Sequence, residues 1–267
     1  MSSVKLSVVS ALLLSVAALL GGCASKQPDP TAKMTPDEIY AQAKEEIANI
    51  QYAKGIGLLE KLEGRAAGTP LAQQAQLDKA YAHYKAEEPA QAIATLDRFM
   101  RLHPASPAID YALYLKGLVN FNENMGLFAS WVRQDLAERD QQAAKESFAA
   151  FKELVTRFPE SRYTPDARAR MTYIVNSLAK YEVHVARYYY SRGAYVAAIN
   201  RAQQAIADYR DAPALEEALY ILVQCYDALQ MTQLRDDTRR VLQTNYPQSS
   251  YLDGNTTVSQ KSWWQLW

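Results

Sequence analysis

Three times along this chain an apolar helical run ends in an aromatic residue, a proline follows at once, and a serine comes two residues later. Phe99 to Ser106 reads FMRLHPAS, Leu154 to Ser161 reads LVTRFPES, and Leu242 to Ser249 reads LQTNYPQS. Proline lacks the amide hydrogen that would continue a helix, so each one marks a stop, and each serine can cap the next helix. Ten or eleven positions before each stop stands a small residue followed by an apolar one: Ala92-Ile93, Ser147-Phe148, and Ala198-Ile199 before Tyr209-Arg210. Small residues at a recurring position let two helices approach closely. A repeated helix–stop–helix phrase over 267 residues restricts the chain to stacked helix pairs.

Composition agrees with that restriction. The chain is alanine-rich, with 18 tyrosines and only 10 glycines, a balance that favours close-packed helices over sandwiches or barrels. The 29 Lys and Arg residues balance 29 Asp and Glu, and no run of basic residues makes a local patch, so nucleic acid is excluded as a partner class. The expected fold class is all-α, an α-solenoid of about five helix pairs over residues 35–66, 71–105, 106–160, 163–211 and 213–247. Two pairs are longer than the rest. In the third, residues 122–140 contain Gly126 and the apolar Leu127, Phe128 and Trp131, and are expected to form an insertion by loop or short helix. In the fourth, Thr164 can cap, Pro165 suits a first turn, and no Gly or Pro intervenes before Gly193, which predicts one helix of about 27 residues. Its apolar stripe runs through Met171, Ile174, Leu178, Tyr181, Val185 and Tyr188.

The two ends carry different information. Met1 to Lys5 bear one positive charge and Leu6 to Leu20 form an apolar run of signal-peptide length. The following Leu20-Gly21-Gly22-Cys23 has the form of a bacterial lipobox, so residues 1–22 are expected to be a lipoprotein signal peptide and Cys23 the lipidated N-terminus, with diacylglycerol on its thiol and an N-acyl chain. Ala24 in the next position directs such a lipoprotein to the outer membrane of a Gram-negative cell. Residues 23–34, with Pro28 and Pro30, are expected to be a tether, and residues 248–267 a mobile tail containing Trp263, Trp264 and Trp267. With Cys23 acylated, Cys225 has no thiol partner; its setting YILVQCY is the apolar side of a helix, where it serves as a small hydrophobe.

Catalytic motifs are missing from the sequence. None of His83, His103 and His184 has a His or Cys at ligand spacing, and no HExxH, GxSxG, glycine-rich phosphate loop or paired-Cys motif occurs. Acidic residues such as Glu45, Glu46, Glu216 and Glu217 fall on polar helix faces. No catalytic, metal or cofactor site is expected, and the chain reads as a scaffold.

The phrase resembles the tetratricopeptide repeat, an antiparallel helix pair of about 34 residues. The fourth unit fits best, with Ala186, Tyr189, Gly193, Tyr195, Ala198 and Ala205 at the family's small, aromatic and turn positions, although Arg210 stands where proline is usual. Longer strings narrow the resemblance. Ile109-Asp110-Tyr111, Lys116-Gly117-Leu118, Arg139-Asp140, Phe158-Pro159, Leu178-Ala179-Lys180-Tyr181-Glu182 and Arg192 to Arg201, which reads RGAYVAAINR, are similar to the third and fourth units of the BamD (ComL) family of outer-membrane lipoproteins. The resemblance runs to about Pro247 and does not cover the tail. It implies a non-enzymatic part in β-barrel assembly: the C-terminal arm, 163–247, would hold the periplasmic domain of BamA, the N-terminal arm, 35–105, would face unfolded outer-membrane proteins, with the middle repeat, 106–162, between them in the chain, and other lipoproteins of the complex would bind the surface. On the matching string Arg201 would contact BamA, with Arg192 beside it. Tyr40, Tyr52, Tyr81 and Tyr84 are expected to line the substrate face, tyrosine offering large contact area with a polar tip. The implied location is the outer membrane, facing the periplasm. A peptidoglycan-associated competence lipoprotein, a pilotin-like scaffold and a cell-wall hydrolase remain as alternatives.

Overall fold

The computed structural model describes residues 29–121 and 134–252, the backbone alone for 134–140. Among these residues ten helices form five consecutive pairs: α1 (Pro36–Ala48) with α2 (Tyr52–Arg65), α3 (Pro70–Lys85) with α4 (Pro89–Leu102), α5 (Ile109–Asn120) with α6 (Gln134–Arg157), α7 (Thr164–Ser191) with α8 (Tyr195–Asp208), and α9 (Leu215–Ala228) with α10 (Thr232–Asn245). The protein is all-α. Each second helix packs on the first helix of the next pair, and first helices also touch one another, α3 on α5 and α7 on α9. That extra contact on one side makes the first helices the inner layer of the stack.

The Pro phrase builds the same turn each time. In all three copies the aromatic N–H donates to the carbonyl four residues back, Phe99, Leu154 or Leu242, and the serine N–H donates to the aromatic carbonyl across the proline. The serines do not cap the next helix as expected. Ser106, Ser161 and Ser249 instead accept from the N–H two residues on, Ala108, Tyr163 and Tyr251, because one further turn is needed before the chain can reverse. The fourth pair makes this turn without proline: Tyr209 N–H bonds Ala205 O, Ala212 N–H bonds Tyr209 O, and Asp211 sits at φ 68°.

Within four of the pairs the two helices are joined by a left-handed residue, Ile50, Glu87, Gly193 or Gln230, and by an amide bond spanning five residues, such as Glu88 N to His83 O and Ala194 N to Tyr189 O. This is the usual helix C-terminus in which glycine is preferred because it has no Cβ to clash. Only Gly193 follows the preference.

The long fourth-pair helix is Thr164–Ser191, close to its expected length. Thr164 does not cap it; its hydroxyl donates to Phe158 O and closes the preceding turn. The buried stripe also departs from the pattern. Ile174 and Leu178 are inside, but the stripe continues through Glu182, Val183 and Ala186, leaving Tyr188 53% exposed. The cause is a change of partner: α7 packs on α6 with its first half and on α8 and α9 with its second, so no single face is covered throughout.

Three apolar clusters follow the stack. Ile39, Leu59 and Leu62 lie under the first two pairs, Leu96, Phe99, Leu113, Phe151 and Ile174 under the middle, and Ala198, Leu219, Ile221 and Cys225 under the last two. The small residues marked by the repeat, Ala92, Ser147 and Ala198, are each 0% exposed.

Several boundaries shift. Residues 134–140 of the expected insertion already belong to α6, and residues 122–133 lie outside the described residues. Asp29 to Met34 of the tether and Ser249 to Leu252 of the tail are packed against the fold; Tyr251 stacks on Tyr220 at 4.6 Å between ring centres, and Ser249 is buried. The expected signal peptide, Cys23 and the tryptophans lie outside the described residues. No described helix is long and apolar enough to cross a membrane.

Candidate binding surfaces

The inner layer is crossed by polar rungs that join successive first helices. Tyr40 on α1 donates its hydroxyl to Asp78 Oδ2 on α3 at 2.7 Å, and the same carboxylate accepts from Lys44 Nζ and Gln74 Nε2, both at 3.3 Å. The Asp78 side chain is only 10% exposed, and three donors offset the cost of burying its charge. Burial first, and the bond to Asp78 second, hold the Tyr40 phenol above its ordinary range. Burial and the Asp78 charge also push up Tyr111 on α5, which lies beside Tyr163 at 5.6 Å. Tyr163 stacks on Tyr114 at 4.7 Å, Arg162 lies over the Tyr163 ring, and Tyr114 donates to Asp166 on α7 at 2.8 Å. From α7 to α9, Arg187 makes a forked pair with Glu217 at 2.5 and 2.6 Å. The inner face thus carries tyrosine, carboxylate and guanidinium groups at each step of the stack, the group types that hydrogen-bond and pack against an extended chain.

The structure brings together some of the expected tyrosines. Tyr40, Tyr81 and Tyr84 stand on the first helices α1 and α3, with Tyr81 36% exposed and 6.5 Å from Tyr84. Tyr52 does not join them: it opens α2 and packs on the core of the first pair. The residues that bind the surface into one, Asp78, Tyr111, Tyr114 and Tyr163, escape sequence reading because partners such as Tyr40 for Asp78 and Asp166 for Tyr114 are 38 and 52 positions away. A lone aspartate inside the mainly buried face of α3 was the available signal.

On the C-terminal arm Arg201 Nη1 donates to Glu182 Oε2 on α7 at 3.1 Å. Glu182 is buried, whereas the Arg201 side chain is 43% exposed and open to solvent. Arg192 ends α7 and lies over the exposed Tyr188 ring at 5.4 Å. Each arginine thus has its own partner within the fourth pair. Cys225 is 0% exposed and burial pushes its thiol up to about 12, which removes it as a nucleophile near neutral pH.

Five stacked helix pairs with a polar and aromatic inner face define a helical-repeat protein. The particular family follows from comparison. The chain belongs to the YfiO family, described as an outer membrane lipoprotein, whose pattern matches residues 32–242. It is 44% identical over 261 residues to the outer membrane protein assembly factor BamD of Neisseria meningitidis serogroup B, covering 96% of this chain and 98% of the relative. It is 43% identical to the protein of that name from Neisseria gonorrhoeae over the whole of both chains, and 34% identical to that of Vibrio cholerae over 85% and 94%.

Proposed function

We propose that this protein is an outer-membrane lipoprotein that serves, without catalysing a reaction, as a scaffold for β-barrel assembly. The carrying observation is the near-full-length similarity to proteins described as outer membrane protein assembly factors. On this reading the inner face of the first two pairs, with Tyr40, Tyr81 and Tyr84, receives unfolded outer-membrane proteins. The fourth and fifth pairs, through Arg201 and Arg192, hold the periplasmic domain of BamA, and other lipoproteins of the complex bind elsewhere on the surface. The rungs on the inner face support peptide binding, since they set aromatic area beside groups that donate and accept. Crosslinked pull-down of the tagged protein from membranes tests the proposal: BamA is expected among the captured chains, and its absence while peptidoglycan fragments are retained would favour the peptidoglycan-associated alternative.

Localisation rests on Cys23, whose thiol would carry the diacylglycerol. Cys23→Ala is expected to release or mislocalise the protein, read by detergent-phase partitioning, because the acyl chains are the proposed anchor and no described helix is long and apolar enough to cross a membrane. A variant that remains processed and membrane-bound overturns the lipidation.

A further inference from the structure

The first described residues are bolted to α2. Asp29 accepts from Lys61 Nζ at 2.6 Å, Arg65 Nη2 at 3.1 Å, and the Thr31 amide and hydroxyl at 3.0 and 2.8 Å. Arg65 Nη1 donates to the carbonyls of Thr31 and Met34 at 2.5 and 3.4 Å, while Nη2 also reaches Thr31 Oγ1 at 3.1 Å. Thr31 is 1% exposed. One guanidinium therefore grips four atoms of residues 29–34, and Lys61, one turn earlier on α2, holds the same carboxylate. Hydrogen bonds from Lys61 and Thr31 keep the Asp29 carboxyl below its ordinary range.

The latch changes the reach of the anchor. Free up to Thr35, a tether starting at Cys23 would extend about 40 Å and let any face turn toward the membrane; fixed at Asp29, six residues remain, with a reach of about 20 Å. The structure next to the latch is the edge where α2 and α4 end side by side, with Glu60, Glu63 and Gly64 of one and Arg98 and Leu102 of the other lining one crevice of about 560 Å³ with His103. The crevice carries Arg98 and Lys79 together with Glu60 and Glu63, the apolar Leu102 on it is 53% exposed, and the neighbouring Arg101 and Lys33 of the latched segment are exposed as well. Long cationic side chains around an exposed leucine suit the headgroup region, where the charge meets phosphate and the stem lies against lipid.

We propose that the Asp29–Arg65 latch presents this edge, the C-terminal ends of α2 and α4, to the phospholipid surface; the inference rests on the reading of Cys23 as lipidated. It makes the first pair the membrane-proximal end and leaves the last pair free to swing no further than the stiffness of the stack allows.

Full-length lipidated protein in nanodiscs of phosphatidylethanolamine and phosphatidylglycerol, doped with a nickel-chelating lipid, tests it. A nitroxide is placed at Ala67→Cys beside the latch or at Gln243→Cys on α10; buried Cys225 stays unlabelled. Collision with nickel is expected to be several-fold higher at 67 than at 243. Combining Lys61→Ala with Arg65→Ala should shrink that ratio toward one, and so should a six-residue Gly/Ser insertion after Ser25, which lengthens the tether without touching the fold. Equal collision at both labels in the wild type, or a ratio that neither change alters, overturns the orientation. Failure of the wild type to migrate with nanodiscs at all identifies the lipidation reading as the fault and removes the proposal with it.

Discussion

Phe151→Ala is expected to cost about 3 to 5 kcal/mol, the range for emptying a fully buried phenyl site. The ring is 0% exposed at the centre of the middle cluster, with Tyr114 at 6.1 Å and Phe121 at 6.3 Å between ring centres. It also occupies the place a side chain at Gly117 would need: a Cβ there would meet Phe151 Cε1 at 2.3 Å and Cδ1 at 2.6 Å. Two effects of opposite sign therefore compete in Gly117→Ala. Helix propensity favours alanine by about 1 kcal/mol, and overpacking opposes it by about 1 to 3 kcal/mol. Overpacking should win in the wild type, because Gly117 O also accepts the buried Ser147 hydroxyl at 2.8 Å and α5 cannot withdraw without breaking that bond. In the Phe151→Ala background the obstruction is gone, and Gly117→Ala should become neutral or stabilising. Urea unfolding of both single variants and the double variant measures the coupling. Additive costs would show that Gly117 is required for something other than room for the ring.

The repeat phrase was readable because it is local. Each Aro-Pro-x-Ser turn is specified within eight residues, and proline acts the same way wherever it stands, so five pairs and the length of α7 could be read directly. The errors have local causes of another kind. Thr164 has the chemistry of a cap, but a carbonyl of the preceding turn, Phe158 O, takes its hydroxyl first. Tyr188 keeps the apolar period and still ends exposed, since a period records a helix face and not which neighbour covers it. The binding surfaces were less legible again. Tyrosines could be named as a group, but their division between α1, α3 and the core side of α2 depends on how pairs stack. Asp78, Tyr111 and Glu182 gain their roles from partners brought close only by the solenoid. Arg201 was marked through family resemblance, and nothing in its own sequence neighbourhood discloses the buried carboxylate that it serves.

That carboxylate makes Arg201 the most informative residue of the C-terminal arm. Arg201→Ala removes the guanidinium paired with Glu182, which is 6% exposed. Breaking a buried ion pair costs about 3 to 5 kcal/mol; with the arginine side chain 43% exposed, water can reach the site, and about 1 to 3 kcal/mol is expected. Loss of BamA co-purification in this variant alone would therefore be ambiguous between a weakened fold and a lost contact. Glu182→Gln separates the two, because a neutral amide in place of the carboxylate no longer needs a cation. The double variant should recover most of the lost stability, read by urea unfolding. Should the exposed Arg201 also meet a BamA carboxylate, co-purification at raised salt will stay lost in the double variant, and Arg201→Lys, which keeps the charge without the fork, will restore it only in part. Recovery of both stability and co-purification in the double variant would mean that Arg201 serves the fold alone and that BamA contacts the arm through other residues.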